Sequence, residues 1–258
     1  MKTRLDAELV RRGLARSRDN AIDLIDRGQV LVNGIPASKA ASQVDAQISI
    51  TLKDDHDEFV SRGGHKLAGA LDHFSTLSVE GKVALDAGAS TGGFTDCVLQ
   101  RGATRVFAVD VGRNQLHERM KSHPRVTWQD GVNVRDLSVD DMAFPCSLVV
   151  ADLSFISLTK VLRALVDVVT PEPGHEIAQM LLLVKPQFEA GRLEVARGRG
   201  VITDPLIHQA ACDDVAQHLQ SLGAVVRGVI ESPIKGAEGN TEFLMFVECP
   251  TVSVGYEV

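Results

Sequence analysis

The sequence is poor in the residues that build disulfide frameworks, metal sites and membrane spans. Its four cysteines, Cys97, Cys146, Cys212 and Cys249, stand apart from one another, with no Cys-x-x-Cys spacing and no paired histidine spacing. That distribution predicts buried, unreactive thiols and no metal site. No apolar run approaches the roughly 18 residues of a membrane helix, and residues 1–8 carry acids where a secretion signal has an apolar core. We therefore expect a cytoplasmic protein that binds no membrane and no metal.

Aromatic residues are scarce as well, with one Trp, one Tyr and nine Phe. Hydrophobic residues still make up 44% of the 258 residues, which permits a sizeable core in an ordinary soluble chain. The net charge of -7 argues against a protein that coats nucleic acid nonspecifically, yet residues 1–28 hold seven Lys and Arg against five Asp and Glu. A basic patch on an acidic chain indicates a localised contact with phosphate.

The basic segment has the pattern of two short helices followed by strands. Apolar residues at helical spacing predict one helix from Leu5 to Arg12 and a second helix after the N-cap Ser17. Residues 30–32, Val-Leu-Val, precede a tight Asn-Gly turn and predict a strand, and residues 48–52 alternate like another strand. A small α+β domain is therefore expected at the start of the chain.

The same segment resembles the S4-like RNA-binding domain, which is named after a ribosomal protein. The resemblance covers residues 4–52 and rests on Arg-Arg-Gly-Leu-Ala-Arg-Ser-Arg at 11–18 and Arg-Gly-Gln-Val-Leu-Val-Asn-Gly at 27–34. It implies that arginines dock the protein on folded RNA through phosphate contacts. Without the resemblance, the same arginines would be an ordinary solvated helix face. The candidate RNA contacts are Arg4, Arg11, Arg12, Arg16 and Arg18.

A short acidic stretch at residues 53–58 has the composition of a linker. We therefore predict an S4-like domain of residues 1–58, linker included, and a second domain of residues 59–258. From Val83 onwards the pattern alternates strand and helix, as a parallel α/β sheet requires. The predicted fold class is α/β, a Rossmann-like domain with a mostly parallel seven-stranded sheet, preceded by the small α+β domain.

The glycine-rich stretch 83–94, Val-Ala-Leu-Asp-Ala-Gly-Ala-Ser-Thr-Gly-Gly-Phe, joins the first strand of the second domain to a helix. Such a turn lets backbone N–H groups and the helix N-terminus approach a ligand closely. Three non-glycine residues follow Gly88, and Asp86 lies near the strand end, so the spacing differs from the dinucleotide fingerprint. An acid there suits the cationic methionine part of S-adenosylmethionine, and we interpret the stretch as a loop for that cofactor. Ligand-free turns of small residues are the alternative.

Two further acids end the next predicted strands. Asp110 follows Gly88 by 22 residues, where a carboxylate accepts hydrogen bonds from both ribose hydroxyls of a nucleoside cofactor. NAD enzymes use the same device, which leaves an NAD-dependent oxidoreductase open. Asp130 is a candidate acceptor for the adenine amino group, although acids at strand ends are often only turn residues. The candidate cofactor residues are Asp86, Gly88, Ser90, Gly92, Gly93, Phe94, Asp110, Val111 and Asp130.

Four ionisable residues are predicted at element ends that border one cleft. Lys66 falls in the first turn of a helix, where the helix dipole disfavours a cation. Asp152 and Lys185 directly follow apolar strands, and Glu242 opens the last strand. Four unrelated salt-bridge partners are the alternative. Base methylation is disfavoured, because an Asp/Asn-Pro-Pro-Tyr/Phe motif is missing and Cys146 precedes its strand.

The contexts of these four residues are Ser-Arg-Gly-Gly-His-Lys-Leu, Ala-Asp-Leu-Ser-Phe-Ile-Ser, Lys-Pro-Gln-Phe-Glu and Gly-Asn-Thr-Glu-Phe. With the N-terminal pattern, they closely resemble the TlyA family of ribosomal RNA 2′-O-methyltransferases, also called hemolysin A. The second domain is similar to FtsJ-like ribose methyltransferases with a Lys-Asp-Lys-Glu tetrad. The resemblance implies methyl transfer from S-adenosylmethionine to cytidine ribose in 16S or 23S rRNA, or both, on 30S and 50S ribosomal subunits. A pore-forming haemolysin is the competing expectation from the older name.

The chemistry of ribose methylation explains why such residues are needed. A ribose hydroxyl is a poor nucleophile at neutral pH, so a base takes its proton as the oxygen attacks the methyl group. A lysine serves as that base once burial or a nearby cation lowers its pKa, an effect that a carboxylate opposes. We expect Lys185 to be the base, Lys66 to lower the pKa of Lys185 and stabilise the developing oxyanion, and Asp152 and Glu242 to orient the lysines. The modified cytidines, the subunit and the oligomeric state stay open.

Overall fold

The computed structural model describes residues 2–15, 17–26, 28–45, 47–52, 59–191, 200–236 and 238–250. Its internal contacts divide the chain into two compact units, Met1–Asp57 and Glu58–Val258. Arg16 and the predicted linker at 53–58 lie outside the described residues. In the described ranges, no helix is both long enough and apolar enough to cross a membrane.

The first unit is a small α+β structure. Helices α1 (Leu5–Arg11) and α2 (Arg18–Asp26) pack on a core that includes Leu9 and Ile25. The Ser17 hydroxyl accepts a hydrogen bond from the Asn20 N–H at 3.1 Å, which confirms the predicted N-cap. The strands of this unit are β1 (Lys2–Arg4), β2 (Val30–Val32), β3 (Ile35–Pro36), β4 (Gln43–Asp45) and β5 (Ile50–Leu52). β1 pairs with β4, and β2 lies between β3 and β5.

The second unit is built on a seven-stranded sheet, as predicted. Its strands are β6 (Val83–Ala87), β7 (Arg105–Asp110), β8 (Val126–Asp130), β9 (Leu148–Ala151), β10 (Ile177–Val184), β11 (Val225–Glu231) and β12 (Phe243–Pro250). The strand order is β11-β12-β10-β9-β6-β7-β8. β12 is antiparallel to both of its neighbours, and the strands from β10 to β8 are parallel to one another.

Helices cover both faces of this sheet. Leu67 of α3 and Val98 of α4 belong to the core on one face, and Leu162 of α6 and Val215 of α8 belong to the core on the other. Among the described residues of this unit, the helices are α3 (Gly63–His73), α4 (Gly93–Gln100), α5 (Glu118–Lys121), α6 (Leu162–Val168), α7 (Pro186–Glu189) and α8 (Pro205–Ser221). All four cysteines are free and buried, and burial raises the thiol pKa of Cys146, Cys212 and Cys249 to about 12, as expected for unreactive thiols.

The topology brings the predicted site residues to one edge of the sheet. The carboxyl ends of the parallel strands β6, β7, β9 and β10 share that edge, where ligands bind in open α/β sheets. Because β12 runs the other way, its first residues reach the same edge, and Phe243 pairs with Val184 at the end of β10. Lys185 and Glu242, which flank this pair in the sequence, therefore lie at the same edge.

Candidate active site

The glycine turn after β6 depends on two unusual backbone positions. Gly88 has a φ of 87°, and a Cβ there would lie 2.6 Å from the carbonyl oxygen of Asp152. Gly92 has a φ of 99° and is the N-cap of α4. Side-chain-bearing residues rarely adopt such values, and glycine adopts them freely. The turn therefore lies directly against the loop that follows β9.

Asp110 anchors the other side of this turn. Its carboxylate accepts hydrogen bonds from the Ser90 N–H at 2.8 Å and from the Gly112 N–H at 2.6 Å. An ionised carboxylate offers about four acceptor positions, so roughly two remain for a ligand such as a ribose diol. Its neighbour Val111 is 71% exposed.

A cavity of about 520 Å³ lies next to Asp110, within the usual range of about 300–1,000 Å³ for small-molecule sites. It is bounded by the turn after β6, the ends of β7 and β8, and the loop after β9. Its lining includes Ser90, Asp110, Val111, Val132, Asn133 and Leu153.

Five of the predicted cofactor residues do not line this cavity: Gly93 and Phe94 line a neighbouring cavity, and Asp86, Gly92 and Asp130 line neither. Asp130 accepts a hydrogen bond from the Asn114 N–H at 2.6 Å and so holds the loop after β7. Asp86 is fully buried on the sheet face covered by α3 and α4, because side chains alternate along a strand and Leu85 and Ala87 point to the other face. Its Oδ2 accepts from the Thr95 hydroxyl at 2.6 Å.

The second carboxyl oxygen of Asp86 has no hydrogen-bond partner within the described part of the chain. The Asp86 pKa is raised to about 7, mainly by burial; the hydrogen bond from Thr95 opposes the rise, and the nearby carboxylates of Asp152 and Asp110 add to it. Asp86 is thus a buried acid held close to the two acids that line the cavity.

The four tetrad residues form two ion pairs. Lys66 Nζ lies 2.5 Å from Glu242 Oε2, and Lys185 Nζ lies 2.5 Å from Asp152 Oδ1. Lys185 also donates to the Ser154 hydroxyl at 2.8 Å. The exposed side-chain fraction is 11% for Lys66, 4% for Glu242, 9% for Lys185 and 22% for Asp152.

A second cavity brings both pairs to one site. Lys66, Asp152 and Lys185 line it together with Phe94 and Gly93, and Glu242 is connected to it through Lys66. It shares residues Gly88, Ser90, Asp152 and Ser154 with the larger cavity. A group in one cavity would therefore meet a group in the other beside the Lys185–Asp152 pair.

Sequence reasoning assigned no role to three residues of the loops after β9 and β10. Ser154 contacts Lys185, and Phe155 is 92% exposed with a φ of 64°. Glu189, at the end of α7, accepts hydrogen bonds from the Ser157 hydroxyl at 2.6 Å and the Leu158 N–H at 2.8 Å. The polar and aromatic residues in Asp-Leu-Ser-Phe-Ile-Ser and Lys-Pro-Gln-Phe-Glu are the sequence feature that could have indicated them.

In the first unit, two buried acids hold the candidate RNA-binding arginines. Asp6 pairs with Arg4 and Arg18, each at 2.9 Å. The hydrogen bond from Arg4 is the main reason that the Asp6 pKa lies far below its usual range. Both guanidinium groups stay accessible, with side chains 45% and 58% exposed.

Glu8 holds a second pair of arginines on another side of α1. It contacts Arg11 at 2.5 Å and Arg12 at 2.7 Å, and hydrogen bonds from Arg11 and then Arg12 lower the Glu8 pKa to about 2. Arg11 is 60% exposed and Arg12 is 21% exposed. Each buried acid thus carries two arginines and leaves a net positive charge.

Comparisons with known proteins extend over almost the whole chain. The 16S/23S rRNA (cytidine-2′-O)-methyltransferase TlyA of Mycobacterium tuberculosis is 45% identical over 251 residues, 97% of this chain and 91% of that protein. Hemolysin A of Brachyspira hyodysenteriae is 37% identical, covering 93% and 98% of the two chains. A solved structure of a hemolysin-named protein from Streptococcus thermophilus has a TM-score of 0.74 and 38% identity, with 96% and 89% of the chains covered.

The sheet order, the glycine turn and the cavity at the sheet edge define the class of doubly wound α/β proteins that hold nucleoside ligands there. The FtsJ-like methyltransferase model matches residues 59–248, and the S4 domain model matches residues 3–47. The chain belongs to the FtsJ-like methyltransferase family and, within it, to the TlyA proteins. The predicted enzyme class is confirmed, and the oxidoreductase alternative is wrong. The hemolysin name recurs among relatives that are 37% and 38% identical to this chain.

Proposed function

We propose that the chain transfers a methyl group from S-adenosylmethionine to the ribose 2′-oxygen of cytidines in ribosomal RNA. The observation that carries the proposal is the shared wall between the two cavities, with the Lys185–Asp152 pair beside it. The name of the M. tuberculosis relative supports cytidine ribose as the acceptor, and the S4 domain supports RNA as the substrate. The substrate particles are 30S ribosomal subunits, 50S ribosomal subunits, or both.

The residues around the larger cavity fit S-adenosylmethionine. Asp110 keeps acceptor positions for a ribose diol, and Val111 offers apolar surface beside it. Asp110 and Asp152 line the cavity, and their carboxylates raise the pKa of the buried Asp86 behind them, which indicates mutual repulsion at this edge. A cationic ligand relieves that repulsion. The bound cofactor supplies a methyl group on a positively charged sulfur.

The two lysines have different tasks in the smaller cavity. As the general base, Lys185 accepts the proton of the ribose 2′-hydroxyl, while Asp152 and the Ser154 hydroxyl fix the position of its Nζ. Lys66 supplies a positive charge that stabilises the developing oxyanion, and Glu242 fixes that charge in place. Both lysines are almost fully shielded from water, which strengthens these interactions.

Phe155 suits a nucleotide that has been turned out of its RNA helix. Its ring is 92% exposed, lies 5.4 Å from the Phe188 ring and borders the larger cavity. An exposed aromatic face stacks on any base, and an enzyme that acts on one nucleotide extrudes it from the helix. The arginine pairs of Asp6 and Glu8 contact phosphates elsewhere on the RNA.

The test is transfer of a tritium-labelled methyl group from S-adenosylmethionine to unmodified 30S and 50S subunits, followed by mapping of the label. Label on the 2′-oxygen of cytidine supports the proposal. Label on a base, or no transfer to either subunit, would contradict it. Equilibrium binding of S-adenosylhomocysteine to the free protein provides a separate reading of the cofactor site.

Lys185→Ala tests the assignment of the base. We expect single-turnover methylation to fall by at least about 100-fold, the usual contribution of a positioned general base, with RNA and S-adenosylhomocysteine binding unchanged. Arg227→Ala is the control. It removes the ion pair between Arg227, on the outermost strand β11, and Glu248, and it keeps wild-type activity. Near-normal methylation by Lys185→Ala would assign the base to another group.

A further inference from the structure

The loop after β9, residues 152–158, carries three groups of the proposed site in a backbone conformation that needs outside support. It holds Asp152, Ser154 and Phe155, and Phe155 has a φ of 64°. A residue with a bulky side chain is a genuine outlier at such a φ. It persists only where surrounding contacts over-determine it.

Those contacts come from the segment 185–189 that follows β10. Before Phe155, Lys185 binds both Asp152 Oδ1 and the Ser154 hydroxyl. At Phe155 itself, the centroid of the exposed ring lies 5.4 Å from that of Phe188. After Phe155, the Glu189 carboxylate accepts hydrogen bonds from the Ser157 hydroxyl and the Leu158 N–H. The strained residue is therefore held on both sides by one turn of helix.

Glu189 is rigidly placed with respect to Lys185. Both the Phe188 N–H and the Glu189 N–H donate to the Lys185 carbonyl, at 2.8 and 3.3 Å, and Pro186 fixes the first residue of α7. The Glu189 carboxyl group is largely buried, and burial raises its pKa. Its contacts are hydrogen bonds to neutral groups at the N-terminus of the short 3-10 helix Leu158–Lys160, so its geometry matters more than its charge.

We infer that Glu189 is a positioning residue for methyl transfer, which braces the loop 152–158 against the segment 185–189 and so fixes both the Lys185–Asp152 pair and the Phe155 ring. The inference rests on the proposed function. Glu189 does not touch the reacting groups; it acts through Ser157 and Leu158. Without these hydrogen bonds, the loop can shift. A shift of up to about 1 Å is enough to lower the rate of methyl transfer substantially.

The test compares Glu189→Ala with Glu189→Gln in single-turnover methylation of ribosomal subunits. For Glu189→Ala we expect kcat to fall about tenfold or more, with KM for subunits and the affinity for S-adenosylhomocysteine unchanged within about twofold. Glu189→Gln keeps an acceptor for the Leu158 N–H and a polar partner for Ser157, and it restores most of kcat.

Asp141→Ala is the matched control. The Asp141 carboxylate accepts hydrogen bonds from the Ser138 hydroxyl at 2.5 Å and the Ser138 N–H at 2.9 Å. These contacts lie at another 3-10 helix, Val139–Asp141, and Asp141 lines neither cavity. It makes the same kinds of contact without joining the two site loops, so kcat stays at the wild-type value. An equal loss of kcat in Asp141→Ala would overturn the inference, as would wild-type kcat in Glu189→Ala.

Ser157→Ala keeps the inference testable if Glu189→Ala does not fold. It removes one of the two hydrogen bonds to Glu189, and we expect kcat to fall about threefold with KM for subunits unchanged. Wild-type kcat in Ser157→Ala would overturn the inference. Wild-type protein without any ribose methylation would instead contradict the proposed function, which separates the two failures.

Discussion

At the scale of single residues, the Asp86 carboxyl group keeps its proton to a higher pH in the folded protein than in the unfolded chain. Burial raises its pKa from 3.8 to about 7. Between these pH values the folded protein binds a proton that the unfolded chain has released, so stability decreases as pH rises across that window and is lowest above about pH 7. The cost at pH 8 is on the order of 2–4 kcal/mol.

We expect Asp86→Asn to remove this cost, because the amide is neutral at every pH and still accepts from or donates to the Thr95 hydroxyl. The measurement is urea unfolding of both proteins from pH 5 to pH 8. The variant gains stability relative to wild type as pH rises, and a constant difference across the range would contradict the assigned titration.

Substitution of Gly88 tests the close approach of the turn after β6 to the loop after β9. Gly88→Ala meets the Asp152 carbonyl oxygen and adopts a strained φ, so we expect a loss of about 2–4 kcal/mol in the free energy of unfolding together with reduced methylation. Gly81→Ala has a φ of 80° with no heavy atom within 4 Å, and it costs only about 1 kcal/mol with wild-type kcat. Equal effects of the two substitutions would rule out a special role for the Gly88 contact.

Residue types and spacing were enough to predict the tetrad positions and Asp110, because each follows an apolar strand or opens an element at the sheet edge. They were not enough to place Asp86 and Asp130, since a strand end does not reveal which face a side chain takes. Glu189 was missed because its partners, Ser157 and Leu158, lie about 30 residues away in sequence.

At the scale of elements, α1 and α2 are joined through Asp6, which binds Arg4 before α1 and Arg18 at the start of α2. A carboxylate that takes two guanidinium groups fixes their direction while leaving one net positive charge. The proposed RNA-binding surface is thus set partly by an acid, which the count of basic residues alone does not indicate.

We expect Arg18→Ala to weaken binding to ribosomal subunits and to reduce the slope of log affinity against log salt by about one. The affinity for S-adenosylhomocysteine stays the same. Arg163→Ala, an exposed arginine paired with Asp167 in α6, is the matched control and leaves the salt slope unchanged. Equal slopes for wild type and Arg18→Ala would remove Arg18 from the RNA contacts.

Element prediction succeeded where apolar periodicity is long. The seven strands of the second unit were predicted, and α8 begins at an Asp-Pro pair, where Asp204 accepts a hydrogen bond from the Leu206 N–H at 2.9 Å. β1, β3 and β4 were missed, because these short strands carry no apolar run like that of β2 and are fixed by their pairing partners.

At the scale of the whole molecule, the Lys66–Glu242 pair joins residues 176 positions apart. Both side chains are nearly buried, so Glu242→Leu leaves an unpaired buried cation and we expect it to destabilise the second unit by about 3–5 kcal/mol. Lys66→Met combined with Glu242→Leu removes both charges and restores most of that stability.

Methylation should stay abolished in the double variant, since the oxyanion has lost its cation. Urea unfolding and single-turnover methylation of the two variants separate the structural from the chemical role of the pair. Recovery of activity along with stability would show that Lys66 and Glu242 act only as a structural ion pair.

The reversed direction of β12 has a consequence for how the enzyme is made. Glu242 enters the site from the last strand of the sheet, after the ribosome has already produced Lys66, Asp152 and Lys185. A chain that has not yet formed β12 therefore holds Lys66 without its carboxylate partner, and the cluster of four ionisable residues is completed only with the last strand of the sheet.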